Sequence, residues 1–171
     1  MKYIVIGIIL ILLVTLGACK PCEIQEPCFL EDVQTPVTIE CNLTNDLDSV
    51  KLYIRGTWTW LQEERRQRGQ PTKYLTPKTE GVSRVLKLQN DTATFYQCGK
   101  IVETHKFAII RLKEISGTNF PEDEWSVLVY YNLETGLRVH HIPVKICADR
   151  LVMQNQFVSS IIGEEIWKRE L

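Results

Sequence analysis

The chain has 171 residues, 44% hydrophobic and 24% charged, with 20 Lys and Arg nearly balancing 21 Asp and Glu. That is the size of one domain and the composition of a folded chain, which excludes wholesale disorder. A nucleic-acid binder needs a clustered basic excess, and none is present.

After "MKY", an apolar run, "IVIGIILILLVTL", extends from Ile4 to Leu16. It is too short for a bilayer crossing, which takes about 20 residues. It suits the hydrophobic region of a secretory leader behind a single lysine. The run ends in "LGAC", Leu16 to Cys19, which resembles the lipobox of bacterial lipoproteins. The resemblance implies that residues 1–18 are a lipoprotein signal peptide and that Cys19 opens the mature protein. Cys19 would then carry palmitate-type acyl chains on its sulfur and nitrogen. Two or more chains hold a protein stably in a membrane where one does not. Lys20 stands where many inner-membrane lipoproteins have an aspartate, which points to the outer membrane and leaves its face open. Without Lys2 the mature chain has 19 Lys and Arg against 21 Asp and Glu, a net charge of −2. A compartment outside the cytoplasm permits disulfides.

Residues 19–48 carry three prolines and no clear hydrophobic period. They read as a tether, with "TPVTIEC" (35–41) as an extended arm. From residue 49 to 171 strand follows strand. The segments are "GTWTWLQE" (56–63), 82–89, 93–98, 100–112, 124–131, 137–146, 150–156 and 160–169, rich in Val, Ile, Tyr, Phe and Thr. "WLQEERRQR" also carries i,i+4 charge pairs of a short helix, but the tryptophans and threonines before it favour a strand running into a charged loop. Eight strands with one long loop, Glu63 to Gly81, predict an all-β fold. Its form is an eight-stranded antiparallel up-and-down barrel, whose closure removes exposed edges. Pro143 inside the sixth strand predicts a bulge or a locally open wall.

Two motifs and their order resemble the lipocalins and related calycin barrels. "GTW" (56–58) is similar to their Gly-x-Trp opening, and "WKR" (167–169) to their aromatic-x-Arg ending. "TPKTEG" followed by "RVLKLQNDTATFYQCGKIVE" resembles small lipocalin-like lipoproteins of Gram-negative bacteria. The resemblance implies that Trp58 plugs the closed end, that Arg169 stacks on it as a cation, and that Gly56 lets the chain bend tightly. It also implies a membrane-anchored protein that binds a small apolar ligand. Trp60, on the same face as Trp58, is equally core filler or ligand wall. Phe95, Phe107, Val129 and Met153 complete the expected lining. A lumen packed with these side chains would instead suit an envelope-maintenance, inhibitor or interaction lipoprotein whose protein partner the sequence does not name.

No Gly-x-Ser-x-Gly, His-Glu-x-x-His or phosphate loop occurs, so no catalytic residue, enzyme activity or cofactor is expected. His140 and His141 are adjacent and would face opposite sides of a strand, and His105 stands apart, so no metal site is expected. Cys22, Cys28, Cys41, Cys98 and Cys147 remain after Cys19. In a meander, turns alternate ends. Cys98 falls at the open end and Cys147 at the closed end, farther apart than the roughly 7 Å a disulfide allows between Cα atoms. Cys41, on the arm entering at the closed end, can reach Cys147. Cys22 and Cys28 then pair locally or not at all, and Cys98 stays free.

Overall fold

Alternating apolar residues with β-branched neighbours fold the described residues into nine strands, eight of which close on themselves. The computed structural model describes residues 36–116, 124–158 and 161–170. Cys19, Cys22, Cys28 and the leader lie outside these residues. The strands are β1 (Gly56–Gln67), β2 (Lys73–Leu75), β3 (Arg84–Gln89), β4 (Thr92–Gln97), β5 (Lys100–Arg111), β6 (Ser126–Tyr131), β7 (Arg138–Ile146), β8 (Arg150–Val158) and β9 (Ile161–Arg169). The order is β2-β1-β3-β4-β5-β6-β7-β8-β9, and β9 returns to pair with β1. All pairs are antiparallel, giving a closed eight-stranded barrel with β2 as an added edge.

The expected strand into charged loop is corrected: β1 continues through "EERRQ" to Gln67. It does so because β9 pairs with it as far as Gln67↔Ile161, while β2 folds back on Glu63–Arg65. A bulge between Trp60 and Gln62 switches the inward face, so that Trp58 and Trp60 point in below it and Glu63 points in above it. The long loop also holds a helical turn, α2 (Pro77–Glu80), closed by a reciprocal Thr76–Thr79 capping box.

One helix escaped the sequence pattern. α1 (Leu47–Tyr53) crosses the barrel's closed end. Asp46 is its N-cap, with the carboxylate accepting from Ser49 N–H at 2.9 Å. Leu47, Val50 and Ile54, spaced by three and four residues, turn into the core, where Val50 and Ile54 are fully buried. The packing therefore begins before residue 49. Thr44 exchanges two 2.8 Å backbone bonds with Ile146, and Ser126 Oγ donates to the Asn45 carbonyl at 2.8 Å. Another helical turn, α3 (Lys113–Ser116), follows β5.

The expected open wall lies beside Pro143. β7 pairs with β8 only over Val144–Ile146, although both strands have nine residues. β6 pairs with β7 through Pro143 itself, and the irregularity on that side falls at Tyr130/Tyr131. Proline lacks the N–H that a ladder between two neighbours needs, so one side gives way.

Candidate functional site at the open end

Because β1 enters at the closed end, its last residues, the Cys98–Gly99 turn, residues 132–137 and the first residues of β9 all lie at the open end. Cys98 and Gly99 have φ of 51° and 74°, the left-handed pair of a tight two-residue hairpin.

The lower barrel is solid. Trp58, Trp60, Leu86, Leu88, Ala93, Phe107, Ile109, Leu128, Ile146, Leu151 and Trp167 belong to one buried cluster. At its base Arg169 pairs across from Trp58 and lies 4.5 Å over the ring. The Trp58 indole N–H donates to the Ile54 carbonyl at 2.8 Å. The Arg169 guanidinium donates to the carbonyls of Ala148 (2.9 Å), Arg55 (2.8 Å) and Tyr53, tying the end of α1 to the last strand. Gly56 has φ +139°, and a Cβ there would stand 3.0 Å from Arg169 Nη1. Backbone and space both require glycine. Cys41 and Cys147 are bonded, with Cα atoms 6.2 Å apart, and fasten the arm to this end.

Above Trp60 the lumen changes character. The Arg84 guanidinium lies 4.2 Å over the Trp60 ring, 3.8 Å from Glu63 and 3.7 Å from Glu165. Arg65 donates to both oxygens of the fully buried Glu63, at 2.5 and 3.2 Å. That bond raises the Arg65 pKa above the usual arginine value. Trp167 Nε1 donates to Glu165 at 3.3 Å. A charged layer therefore lies over the tryptophans, and buried charge of this kind holds only when paired.

Beside this layer opens a cavity of about 440 Å³, lined by Phe95, Glu103, His105, Tyr130, Val139, His140, Ile142, Met153 and Glu165. Ile142 and Met153 place it at the split between β7 and β8. Phe95, His105 and Tyr130 form an aromatic trio, with ring centroids 5.4, 5.8 and 6.3 Å apart and the Phe95 pairs near edge-to-face. His105 Nε2 stands 3.0 Å from Glu103. Among the described residues, the Tyr130 hydroxyl, on a residue only 3% exposed, and His105 Nδ1 are buried without a hydrogen-bond partner. Burial, then the charges of Glu165 and Glu103, push the Tyr130 pKa well above its usual value. Among the described residues, Trp60 Nε1 below the charged layer and Arg150 Nε at the closed end are likewise buried and unpartnered.

Of the expected lining residues, Phe95 and Met153 meet the cavity. Trp60 and Phe107 are packed in the cluster beneath it. Val129 is corrected: it pairs with Ala108 and His141 on the face opposite that of Leu128 and Tyr130, so it points away from the lumen. The sequence reading missed Tyr130, one position along, together with Glu103, His105 and Ile142. Counting residues in alternation from Phe107 through its partner Tyr130 would have found that face. Cys98 is also corrected. It is disulfide-bonded, and with Cys41 and Cys147 paired its partner lies outside the described residues. The arm does not approach the closed end alone: Val37 N–H bonds the Gln62 side chain at 2.9 Å, midway up β1. His140 lines the cavity, whereas His141 pairs with the outward Val129. The described Cys41, Cys147 and Asp149 lie close enough together for a metal, but the two sulfurs are already bonded to each other.

No family model matches the chain, and no match is found among the curated proteins or the solved structures.

Proposed function

We propose that this chain is a lipid-anchored envelope protein whose lipocalin-like barrel holds one small, largely apolar molecule in the open-end cavity. The observation that carries this reading is the cavity itself. Its 440 Å³ is within the range of about 300–1,000 Å³ common for small-molecule sites. It has an apolar wall of Phe95, Ile142 and Met153, and a buried hydroxyl on Tyr130 that lacks a partner among the described residues. Buried polar groups in folded proteins are nearly always paired, so such a group favours a ligand that completes it. The anchor rests on "LGAC" at the end of the apolar leader.

Native mass spectrometry of the protein released gently from its host membranes tests the binding reading. A retained small molecule is expected, and a bare polypeptide mass in every charge state counts against it. For the anchor, Cys19→Ser should move the protein out of the membrane fraction. Unchanged partitioning removes that half of the proposal.

A second reading has its own support. Ile101, Val102, Leu133, Leu137 and Val139 are exposed apolar residues gathered at the open end. An exposed apolar group of this kind suits an interaction lipoprotein, with the packed lower barrel as a rigid stand. Pull-down with and without Leu137→Ser and Ile101→Ser separates this reading from small-molecule binding.

A further inference from the structure

Resting on the small-molecule reading above, we infer that the open-end cavity is built for a small organic amine, bound as its ammonium ion with an aromatic or alkyl body. Two of the cavity's polar side chains, Glu103 and Glu165, are carboxylates that can only accept. A carboxylate can only accept, so the 3.0 Å contact between His105 Nε2 and Glu103 puts the hydrogen on Nε2. In the neutral ring Nδ1 is then a lone pair, buried and unpartnered among the described residues. The Tyr130 hydroxyl oxygen, likewise buried and unpartnered, can also accept. Glu103, Glu165 and His140 complete the polar wall, and the two carboxylates give it its negative charge. A ligand that matches this wall must bring several N–H donors, and an ammonium brings three.

The rings agree with that requirement. Phe95, Tyr130 and His105 meet at 5.4 to 6.3 Å, and a cation is attracted to the face of an aromatic ring. The two carboxylates supply the negative potential already felt by the Tyr130 hydroxyl. Arg84 offsets part of the Glu165 charge from 3.7 Å. The Glu103 side chain, 64% exposed, stands at the entrance, where it can receive a cation from solvent. Ile142, Met153 and Val139 provide only apolar surface for the rest of the molecule. A carboxylate ligand would meet Glu103 and Glu165 directly, and a neutral alcohol would satisfy one acceptor and leave the others.

The test uses the full chain held in lipid nanodiscs, with empty nanodiscs as the blank, and calorimetric titration of three matched probes: phenethylamine, 2-phenylethanol and 3-phenylpropionate. The expected result is phenethylamine binding at least tenfold tighter than 2-phenylethanol, with 3-phenylpropionate weakest. Glu103→Gln, which keeps an amide oxygen for His105 Nε2 but removes the charge, should shrink the amine's advantage over the alcohol to about twofold. The alcohol or the acid binding as tightly as the amine overturns the ammonium inference and leaves a small-molecule cavity standing. An amine preference that survives Glu103→Gln also overturns it. No saturable binding of any probe overturns this inference and the small-molecule reading together.

Discussion

The two ends of this barrel solve opposite problems. At the closed end Trp58 has Arg169 on its face and the Ile54 carbonyl on its edge, and Arg169 has three backbone carbonyls. Among the described residues, His105 and Tyr130 at the open end keep buried polar atoms unmatched and β7 leaves β8, while the closed end keeps one such atom, Arg150 Nε. The same chain thus concentrates packing where it must hold and leaves incompleteness where something can enter. Stability is drawn from one end so that the other can stay imperfect.

The contrast is sharpest in aromatic deletions. Trp58→Ala removes a fully buried indole and the seat of Arg169, and should cost about 3–5 kcal/mol. Phe95→Ala, in the half-buried cavity wall, should cost only about 1–2 kcal/mol. Urea denaturation of both variants checks the ranking. Equal losses would mean that the two ends are packed alike.

Next in size is the staple. The Cys41–Cys147 bond spans 106 positions of sequence, and replacing both cysteines by serine should cost about 2–4 kcal/mol. It ties the arm to the closed end, so the loss belongs to global unfolding. Hydrogen exchange should quicken at Thr44 and Ile146, which share a two-bond bridge. Exchange unchanged there would place the arm's attachment elsewhere.

Arg169→Ala should follow, at about 1–3 kcal/mol, since it strips donors from the carbonyls of Tyr53, Arg55 and Ala148. Arg169→Lys should recover little, because one ammonium cannot reproduce a planar fork aimed at three carbonyls. Thermal melts of the pair measure this, and full rescue by lysine would reduce Arg169 to a point charge.

The difference between the ends also governs what the sequence disclosed. Gly56, Trp58 and Arg169 were legible through the resemblance of "GTW" and "WKR" to the opening and closing motifs of calycin barrels, which fits a meander whose two ends meet where the barrel closes. Cys41 and Cys147 were legible because turns alternate ends. α1 was not, since seven residues give too little period to stand out, although Asp46 ahead of Leu47, Val50 and Ile54 carried the signal. The inward turn of Glu63 was hidden by a bulge, which shifts alternation by one and cannot be read from composition. The cavity was hidden for a related reason. Its face on β6 is Tyr130, and a slip of one position chose Val129.

The smallest expected effect is the most telling, because its sign differs from the rest. Tyr130→Phe keeps the ring against Phe95 and deletes a buried hydroxyl that has no partner. Near neutral pH the variant should be more stable than the parent by about 1 kcal/mol, the modest penalty of burying an unpaired hydroxyl. The pH dependence gives a second reading of the same atom. Burial and the Glu165 and Glu103 charges hold the folded Tyr130 pKa well above 10.0, whereas tyrosine in the unfolded chain ionises near that value. Above pH 10 the unfolded chain therefore releases a proton that the folded chain keeps, and parental stability falls as pH rises. Phenylalanine removes that contribution. The advantage of the variant should widen by about 1.4 kcal/mol between pH 8 and pH 11. Urea titrations of both proteins at the two pH values measure it. Parallel curves, or a variant weaker than the parent at pH 8, would mean that the hydroxyl has a partner inside the protein, and the open end would then be as complete as the closed one.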